Sequence, residues 1–533
     1  MHIGRVSGSI PKTNRLWTLV TVALMVIATP RITTAEAPQA ATVVPRSDTL
    51  VLCIQSPLDS LDPTNHRSRN TQRILKNIFD SLTTRDNANK VLPQLAESWR
   101  LIDDTEWQFT LRKGVRFHNG QCLTSTDVKY TLERVIVEGA IDGGTSPRKS
   151  LLDAISRVDI EDDLRVRIHT RYPWPNLPLM LSIQEIIPSD YMQKVGSDGF
   201  EKHPIGTGPF QWVSGNPGTE FHLKRFDDYY GCSPLKPPVQ VAPLQQLVIK
   251  VVSSKLDQMV MLKTGRTDMI LNVPPESIPI LEMSPHIRIL KVPATRSYFA
   301  EINCTKPPFD DVRVRRALNQ AVDMDAVVTH KLQGQAKALS TVLLPNSFGF
   351  NPELRPYPYD LATARRLLNA AAFPADRSIA IHFSGDDHVF ADSLALFLTK
   401  LGLSTRITVS PVARPDTTGP AAPWDIFVGS WGNSTLDPMG ILLPKFKSMG
   451  PANYSGYSST LLDHLMIQAQ STMDDDQRVT LYHRIQKILF DTAPMVFGYA
   501  PDEFYAVSDR VRNFTPSSTG MIELHDVYFQ ERE

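Results

Sequence analysis

Hydrophobic and polar positions alternate in two registers along this chain. Thr49–Ile54 reads as a β-strand, followed by a turn-rich segment, Ser56–Pro63. Ile74, Leu75, Ile78, Phe79 and Leu82 then recur at helical spacing, which predicts an amphipathic helix. From Glu106 to Gly120 the period is two: Trp107, Phe109 and Leu111, then Val115 and Phe117 beyond Lys113-Gly114. That pattern predicts a β-hairpin with its apolar side inward. Thr124 and Asp127 stand three apart, a capping-box arrangement opening a helix with Val128, Leu132, Val135 and Ile136 on one face. Further strands are predicted at Leu164–Thr170, Glu220–Phe226 and Leu247–Val252.

The second half is richer in helix. Asp310 and Asp311 cap a run with Val314, Ala317, Leu318, Ala321 and Val322 at helical spacing, with Gly334 as its expected stop. Two more helices are predicted near Thr460–Gln470 and Asp476–Asp491, the latter stopped before Pro494. Asp474–Asp476 suits a helix start, where negative charge meets the positive end of the dipole. Between these regions lie a Pro/Thr/Ala loop, Pro411–Pro423, and a Gly/Ser/Asn-rich stretch, Gly429 to Gly440. The whole is a mixed α/β chain of several folding units, with no repeat of fixed period.

The N-terminus follows a different rule. Arg5, Lys12 and Arg15 precede an uncharged apolar run, Leu16 to Ala28, and small residues follow at Thr33, Thr34, Ala35 and Ala37. This is the pattern of a secretory signal peptide, residues 1–35, and the run is too short for a membrane span of about 20 residues. No cysteine adjoins it, so a soluble, exported mature protein is expected. The full chain carries 56 Lys+Arg and 56 Asp+Glu; without residues 1–35 it carries 52 basic against 56 acidic residues, net −4. A nucleic-acid binder ordinarily carries a basic excess, and none is present. Cys53, Cys122, Cys232 and Cys304 form no CxxC pair, which leaves zinc-ribbon and thioredoxin chemistry unsupported and any pairing open.

Motifs for catalysis fail one by one. There is no GxSxG and no HExxH, and Ser146–Lys149 fits SxxK only inside a Gly/Ser/Pro loop without its companion motifs. Gly206-Thr207-Gly208-Pro209 lacks the Lys-Ser/Thr ending of a phosphate loop, and proline removes a donor. His382 and His388 flank Asp386 and Asp387 at no recognised ligand spacing, so exposed loop residues are the simpler reading. His118 reads as structural. The expectation is therefore no enzyme, no metal and no cofactor.

Several long blocks carry a resemblance, in order. They are Leu95–Glu133 (LAESWRLIDDTEWQFTLRKGVRFHNGQCLTSTDVKYTLE), Ile205–Gly231, Phe299–Ala326 (FAEINCTKPPFDDVRVRRALNQAVDMDA), Trp424–Pro438 (WDIFVGSWGNSTLDP) and Asn453–Pro494. Together they resemble the periplasmic solute-binding proteins of ABC importers, peptide/nickel-binding family (family 5), over nearly all of residues 46–533. The resemblance implies a two-lobed α/β fold of the periplasmic-binding-protein (Venus-flytrap) class with an extra subdomain in the first lobe. The first lobe would comprise residues 46–88, 204–303 and 495–533, with 89–203 as the extra subdomain and 304–494 as the second lobe. The chain would cross between lobes near Asn303 and near Pro494. Ligand contacts made by both lobes exist only when the cleft is closed, so a solute shifts the population toward that form, which a membrane permease recognises.

The candidate ligand-binding residues are Tyr298, Ser430, Trp431, Asn433, Ser434 and Thr435: flat aromatic walls beside adaptable hydrogen-bonding groups. Peptide-binding members commonly place an aspartate for the peptide ammonium at the position matching Ser434, which is neutral here. The segment Ile381–Phe390 also lacks the arginine that dipeptide-type members use for the carboxylate. A peptide leads as ligand, with an opine, an oligosaccharide or a metal chelate as alternatives, and a sensor or chaperone role on the same fold as the alternative to transport. A periplasmic monomer working with a permease is expected.

Overall fold

The computed structural model describes residues 48–231, 241–293, 295–411, 415 and 417–530. The expected signal peptide, Cys232 and part of the Pro411–Pro423 loop lie outside the described residues. Cys53, Cys122 and Cys304 are free thiols.

Two mixed sheets organise the chain. The first has seven strands in the order Ile287–Val292, Glu503–Ser508, Met269–Ile270, Thr49–Ile54, Gln246–Val251, Glu220–Arg225 and Phe210–Asn216. Thr49–Ile54 lies at its centre, parallel to both neighbours, and all six residues are buried, as expected of a strand covered on both faces. Leu50, Leu52, Phe221, Leu247 and Tyr505 pack with Ile74 and Ile78 on one side. Cys53, Ile270 and Phe504 pack with Met259 and Leu281 on the other.

The second sheet runs Ser404–Ser410, Ser378–Ser384, Ile426–Gly432, Arg296–Ile302 and Met495–Phe497. Helices cover both of its faces. Val312–Ala321, Leu361–Ala370 and His388–Leu401 cover one, through Val314, Leu318, Ala364 and Leu394. Met439–Phe446, Thr460–Ser471 and Asp475–Thr492 cover the other, through Leu442, Leu465 and Ile485. A separate four-stranded antiparallel sheet, Ala96–Asp103, Glu106–Leu111, Arg165–Thr170 and Ile155–Asp162, carries the helix Ser125–Ile136 and has a core of its own.

Strand pairing locates the passages between the two large sheets. The chain leaves the first at Val292 and enters the second at Arg296; it leaves the second at Phe497 and regains the first at Glu503. The expected crossings at Asn303 and Pro494 thus sit at the far ends of second-sheet strands. Tyr499–Pro501, within the return passage, pairs with Ala336–Ala338 to form a short ribbon.

Three local expectations need correction. Glu106–Leu111 does turn Trp107, Phe109 and Leu111 inward, but it pairs with Ala96–Asp103 and Arg165–Thr170 rather than with residues beyond Gly114. Period-two alternation fixes which face a strand buries; it carries no information about the partner. The helix expected through Leu82 is Arg69–Leu75, although Ile78, Phe79 and Leu82 are fully buried as their spacing implied. The helix opened by Asp311 ends at Ala321, and Asp323 caps a new turn by accepting from the Ala326 N–H at 2.9 Å.

Several sequence motifs are structural. Asp127 accepts from the Thr124 N–H at 2.9 Å, closing the capping box. A Cβ on Gly206 would stand 2.1 Å from the Ile78 carbonyl, so Gly206-Thr207-Gly208 serves close backbone packing. His118 accepts from the Gly206 N–H at 3.2 Å through Nδ1 and its Nε2 lies 2.9 Å from the Gly208 carbonyl; burial lowers its pKa to about 4. The Ser146 hydroxyl donates to the Thr64 carbonyl at 2.5 Å, and Lys149 pairs with Glu138 at 2.6 Å.

Candidate ligand cleft

The region of interest begins where the strand Ile426–Gly432 gives way to the helix Met439–Phe446. Arg296–Ile302 pairs antiparallel with that strand, putting Tyr298 opposite Ser430 and Ser297 opposite Trp431. Because side chains alternate, Tyr298 and Trp431 face opposite sides of the sheet. Half-buried Tyr298 stacks on Tyr499 of the return passage, ring centroids 5.1 Å apart. The Ser430 hydroxyl accepts from Arg296 Nη1 at 2.9 Å.

Trp431 is half-buried on the other side. Its Nε1–H donates to the Gly440 carbonyl at 2.8 Å, and Lys445 Nζ lies 5.1 Å from its ring. That ammonium is also 5.4 Å from the Phe299 ring and 4.4 Å from the Tyr454 ring, and it bonds the buried Glu301 carboxylate at 2.5 Å. Trp431 therefore helps to seal a buried ion pair as well as bordering the loop.

Residues 433–437 form a tight loop in which the Asn433 and Thr435 side chains are used internally. Asn433 Nδ2 donates to the Asp437 carbonyl at 2.7 Å, and Thr435 Oγ1 donates to Asn433 Oδ1 at 2.8 Å. A Cβ on Gly440 would approach Asn433 Oδ1 to 2.7 Å, so a larger residue there would push the Asn433 amide from its place. Residues 434 and 435 present their backbone carbonyls outward. Arg85 Nη1 donates to the Ser434 carbonyl at 2.7 Å and Asn89 Nδ2 to the Thr435 carbonyl at 2.9 Å. Both donors belong to the hairpin Thr83–Arg85 and Val91–Pro93, on the first-lobe side.

A second bridge continues the seam. Asp437 Oδ2 accepts from Asn176 Nδ2 at 2.8 Å, and Arg478 Nη2 donates to Asn176 Oδ1 at 2.6 Å and to Asp437 Oδ2 at 3.4 Å. Burial raises the Asp437 carboxyl pKa, opposed by the Arg478 charge. Farther along, Gln470 Nε2 donates to the Tyr172 hydroxyl at 2.7 Å. The two lobes thus meet through polar groups contributed by both.

On the first-lobe side near the passages, Glu503 holds two arginines. Arg69 Nη1 bonds Oε1 at 2.7 Å and Arg73 Nη2 bonds Oε2 at 2.8 Å. Burial would raise the Glu503 pKa, but the two guanidinium charges prevail and bring it down to about 2. Thr295 Oγ1, in the other passage, also donates to Glu503 Oε1 at 3.3 Å. Among the described residues no group of three or more His, Cys, Asp or Glu side chains is arranged to hold a metal ion, and His382 lies on a strand while His388 opens a helix. Sequence reasoning singled out the 430–435 segment but missed Arg85, Asn89, Asn176 and Arg478, which stand alone on a short strand, in turns or on a helix without a motif.

Two α/β lobes joined by paired passages and meeting across a polar seam define a solute-binding protein, the kind that captures a solute in its cleft for delivery to a membrane permease. The comparisons agree. Residues 90–453 match the model for bacterial extracellular solute-binding proteins, family 5 (middle), and the chain belongs to that family. It is 26% identical over 464 residues to the glutathione-binding protein GsiB of Salmonella paratyphi A, covering 84% of this chain and 88% of that protein. Among solved structures, the ABC transporter substrate-binding protein CtaP of Listeria monocytogenes superposes with a TM-score of 0.81 at 22% identity, covering 91% of this chain and 99% of that one. The periplasmic binding protein DppA of Helicobacter pylori, in complex with the peptide STSA, gives 0.75 at 24% identity, covering 91% and 98%. No helix among the described residues is long and apolar enough to cross a membrane.

Proposed function

We propose that the exported chain captures a small peptide or peptide-like solute between its lobes in the periplasm and delivers it, as a monomer, to the permease of an ABC importer. The observation that carries the ligand class is the end-to-end similarity to a glutathione-binding protein, glutathione being a tripeptide. The polar seam supports the mode of capture: Arg85–Ser434 and Asn176–Asp437 join the lobes through groups that water replaces when the cleft opens. Such exchanged hydrogen bonds are worth only about 1 kcal/mol each, so a ligand touching both lobes has enough energy to shift the balance. Trp431 is the proposed apolar wall, with Ser430 and Tyr298 at the same end of these strands on the other face of the sheet. Asn433 and Thr435 act by holding the loop, and Ser434 by its backbone.

Native mass spectrometry of protein from the exported fraction, with fragmentation of any released adduct, tests this. A bound peptide establishes the reading. An opine, sugar or metal chelate in its place replaces the ligand class and keeps the capture mechanism. Titration with glutathione and short peptides, with product analysis, separates stoichiometric binding from turnover.

A further inference from the structure

The first lobe brings to the seam a cation that no anion answers. Arg85 ends the strand Thr83–Arg85, whose three residues are all buried, and the whole residue is only 8% exposed. Its guanidinium is held at one corner. Nη1 donates to Asn89 Oδ1 at 3.0 Å and, across the seam, to the Ser434 carbonyl at 2.7 Å. Asn89, whose φ is +65°, is itself fixed from the other lobe, because its Nδ2 donates to the Thr435 carbonyl at 2.9 Å. Both lobes therefore set the direction of the guanidinium plane.

What remains is the side-on edge, Nε and Nη2, which makes no hydrogen bond among the described residues. No Asp or Glu there forms an ion pair with Arg85 either, whereas Arg478 at the same seam has Asp437, and Arg69 and Arg73 near the passages share Glu503. Burial opposes the Arg85 charge and brings its pKa down to about 10, with the charge of Glu523 acting the other way. Arg478 keeps an Nε shut off from solvent without a partner. Arg85 has no donor in that state, so its two free donors touch what solvent remains at the seam. A guanidinium is planar and rigid, and its Nε and Nη2 hydrogens point the same way, matching the two oxygens of a carboxylate. Because Nη1 of the same plane touches the second lobe, this edge opens where the lobes meet.

We infer that Arg85 is a ligand-recognition residue whose Nε–Nη2 edge takes a carboxylate of the captured solute from the first-lobe side of the cleft, while Nη1 holds the second lobe closed. This rests on the capture reading above and narrows it to solutes with a free carboxylate. Such a group gains two parallel charge-assisted hydrogen bonds from a donor pair already aimed. A solute with a neutral or cationic group in that place would close the cleft over a guanidinium without an anion, which is costly. Ser434, directly across the seam, offers no charge of its own. Recognition and closure are then joined in one side chain: the anion that fixes the fork also steadies Nη1 against the Ser434 carbonyl.

The test is calorimetric titration of the wild type, Arg85→Met and Arg85→Lys with glutathione, trialanine, trialaninamide and succinate, with unliganded thermal unfolding as the control for folding. The expected result is that glutathione and trialanine bind the wild type, that the amide binds about tenfold or more weakly than trialanine, and that R85M loses this preference. R85K keeps the charge but not the fork and should retain only part of the preference, so it carries the same comparison should R85M fail to fold. A residue that merely joins the lobes predicts instead that each variant weakens trialanine and its amide by the same factor. That result overturns the inference and leaves the peptide reading standing. Binding of succinate but of no peptide, lost in R85M, overturns the peptide reading and supports the inference. Failure of every carboxylate-bearing probe to bind the wild type overturns the role assigned to Arg85.

Discussion

The second lobe and the first lobe each bury charges beside the seam, and they do so in opposite ways. In the second lobe Lys445 and Glu301, 4% and 2% exposed at the side chain, answer each other and are closed over by Phe299, Trp431 and Tyr454. In the first lobe Glu503 answers two cations at once, Arg69 and Arg73, whose charges outweigh its burial and bring its pKa down, whereas burial prevails at Glu301 and raises it. One cation leaves a buried carboxylate less acidic than usual, and two make it more so. Both carboxylates are glutamates, and only their surroundings separate them.

The largest effect is expected where the pair is most closed. Replacing Lys445 with Met leaves the Glu301 carboxylate buried without its cation, which costs about 3–5 kcal/mol. Denaturant unfolding should register that loss, and Lys445→Met with Glu301→Leu should recover much of it, since removing both charges removes the desolvation cost as well. A single variant as stable as the wild type would mean that the pair is hydrated and the comparison between lobes fails.

Acid should reach the first lobe through Glu503. Its folded-state pKa of about 2 lies below the ordinary value of 4.5, so its contribution to stability is complete above pH 4.5 and is lost as the pH falls toward 2. The difference amounts to about 3 kcal/mol. Glu503→Gln should lower stability at neutral pH and flatten the decline of stability over that window, measured by urea midpoints at successive pH values. An unchanged slope would assign the acid sensitivity to other carboxylates.

These contrasts also explain what was legible beforehand. Spacing alone located the buried faces: Phe109, Leu132, Leu318 and Ile485 are all fully buried as their periods require. Helix starts were legible because capping is local, as Thr124–Asp127 and Asp311 show. Partners were not. The strand Glu106–Leu111 is completed by Arg165–Thr170, far along the chain, and no alternation encodes that choice. The helix beginning at Arg69 ends at Leu75, and just beyond it Asn77 spends its amide on Ile522 and Leu524, a tertiary contact invisible to local periodicity. In the cleft, the Trp431 segment carried a recognisable block, while Arg85, Asn176 and Arg478 are single polar residues whose meaning arises only when distant segments meet.

Trp431 joins the two kinds of site and sharpens the distinction between them. Trp431→Ala should weaken ligand binding by about 1–3 kcal/mol through loss of an apolar wall. It also uncovers one side of Lys445, so a loss of about 1–2 kcal/mol in unfolding stability accompanies it. Titration and thermal unfolding of the same variant separate the contributions. A loss of stability with unaltered affinity would make Trp431 purely a lid on the Lys445–Glu301 pair.

The smallest effect is expected at the seam itself. Asn176→Ala removes the bridge to Asp437 but leaves Arg478 beside that carboxylate, so no buried charge is stranded. The cost is that of one exchanged hydrogen bond, about 1 kcal/mol, and it falls on the closed form alone because in the open form water serves Asp437 instead. Affinity should therefore drop about fivefold with the dissociation rate taking the change, while the unfolding midpoint of the unliganded protein stays near that of the wild type. Small-angle scattering should show a more open unliganded ensemble. If N176A instead destabilises the fold and leaves affinity intact, the Asn176–Asp437–Arg478 cluster is a permanent strut between the lobes, and closure must be worked by other contacts.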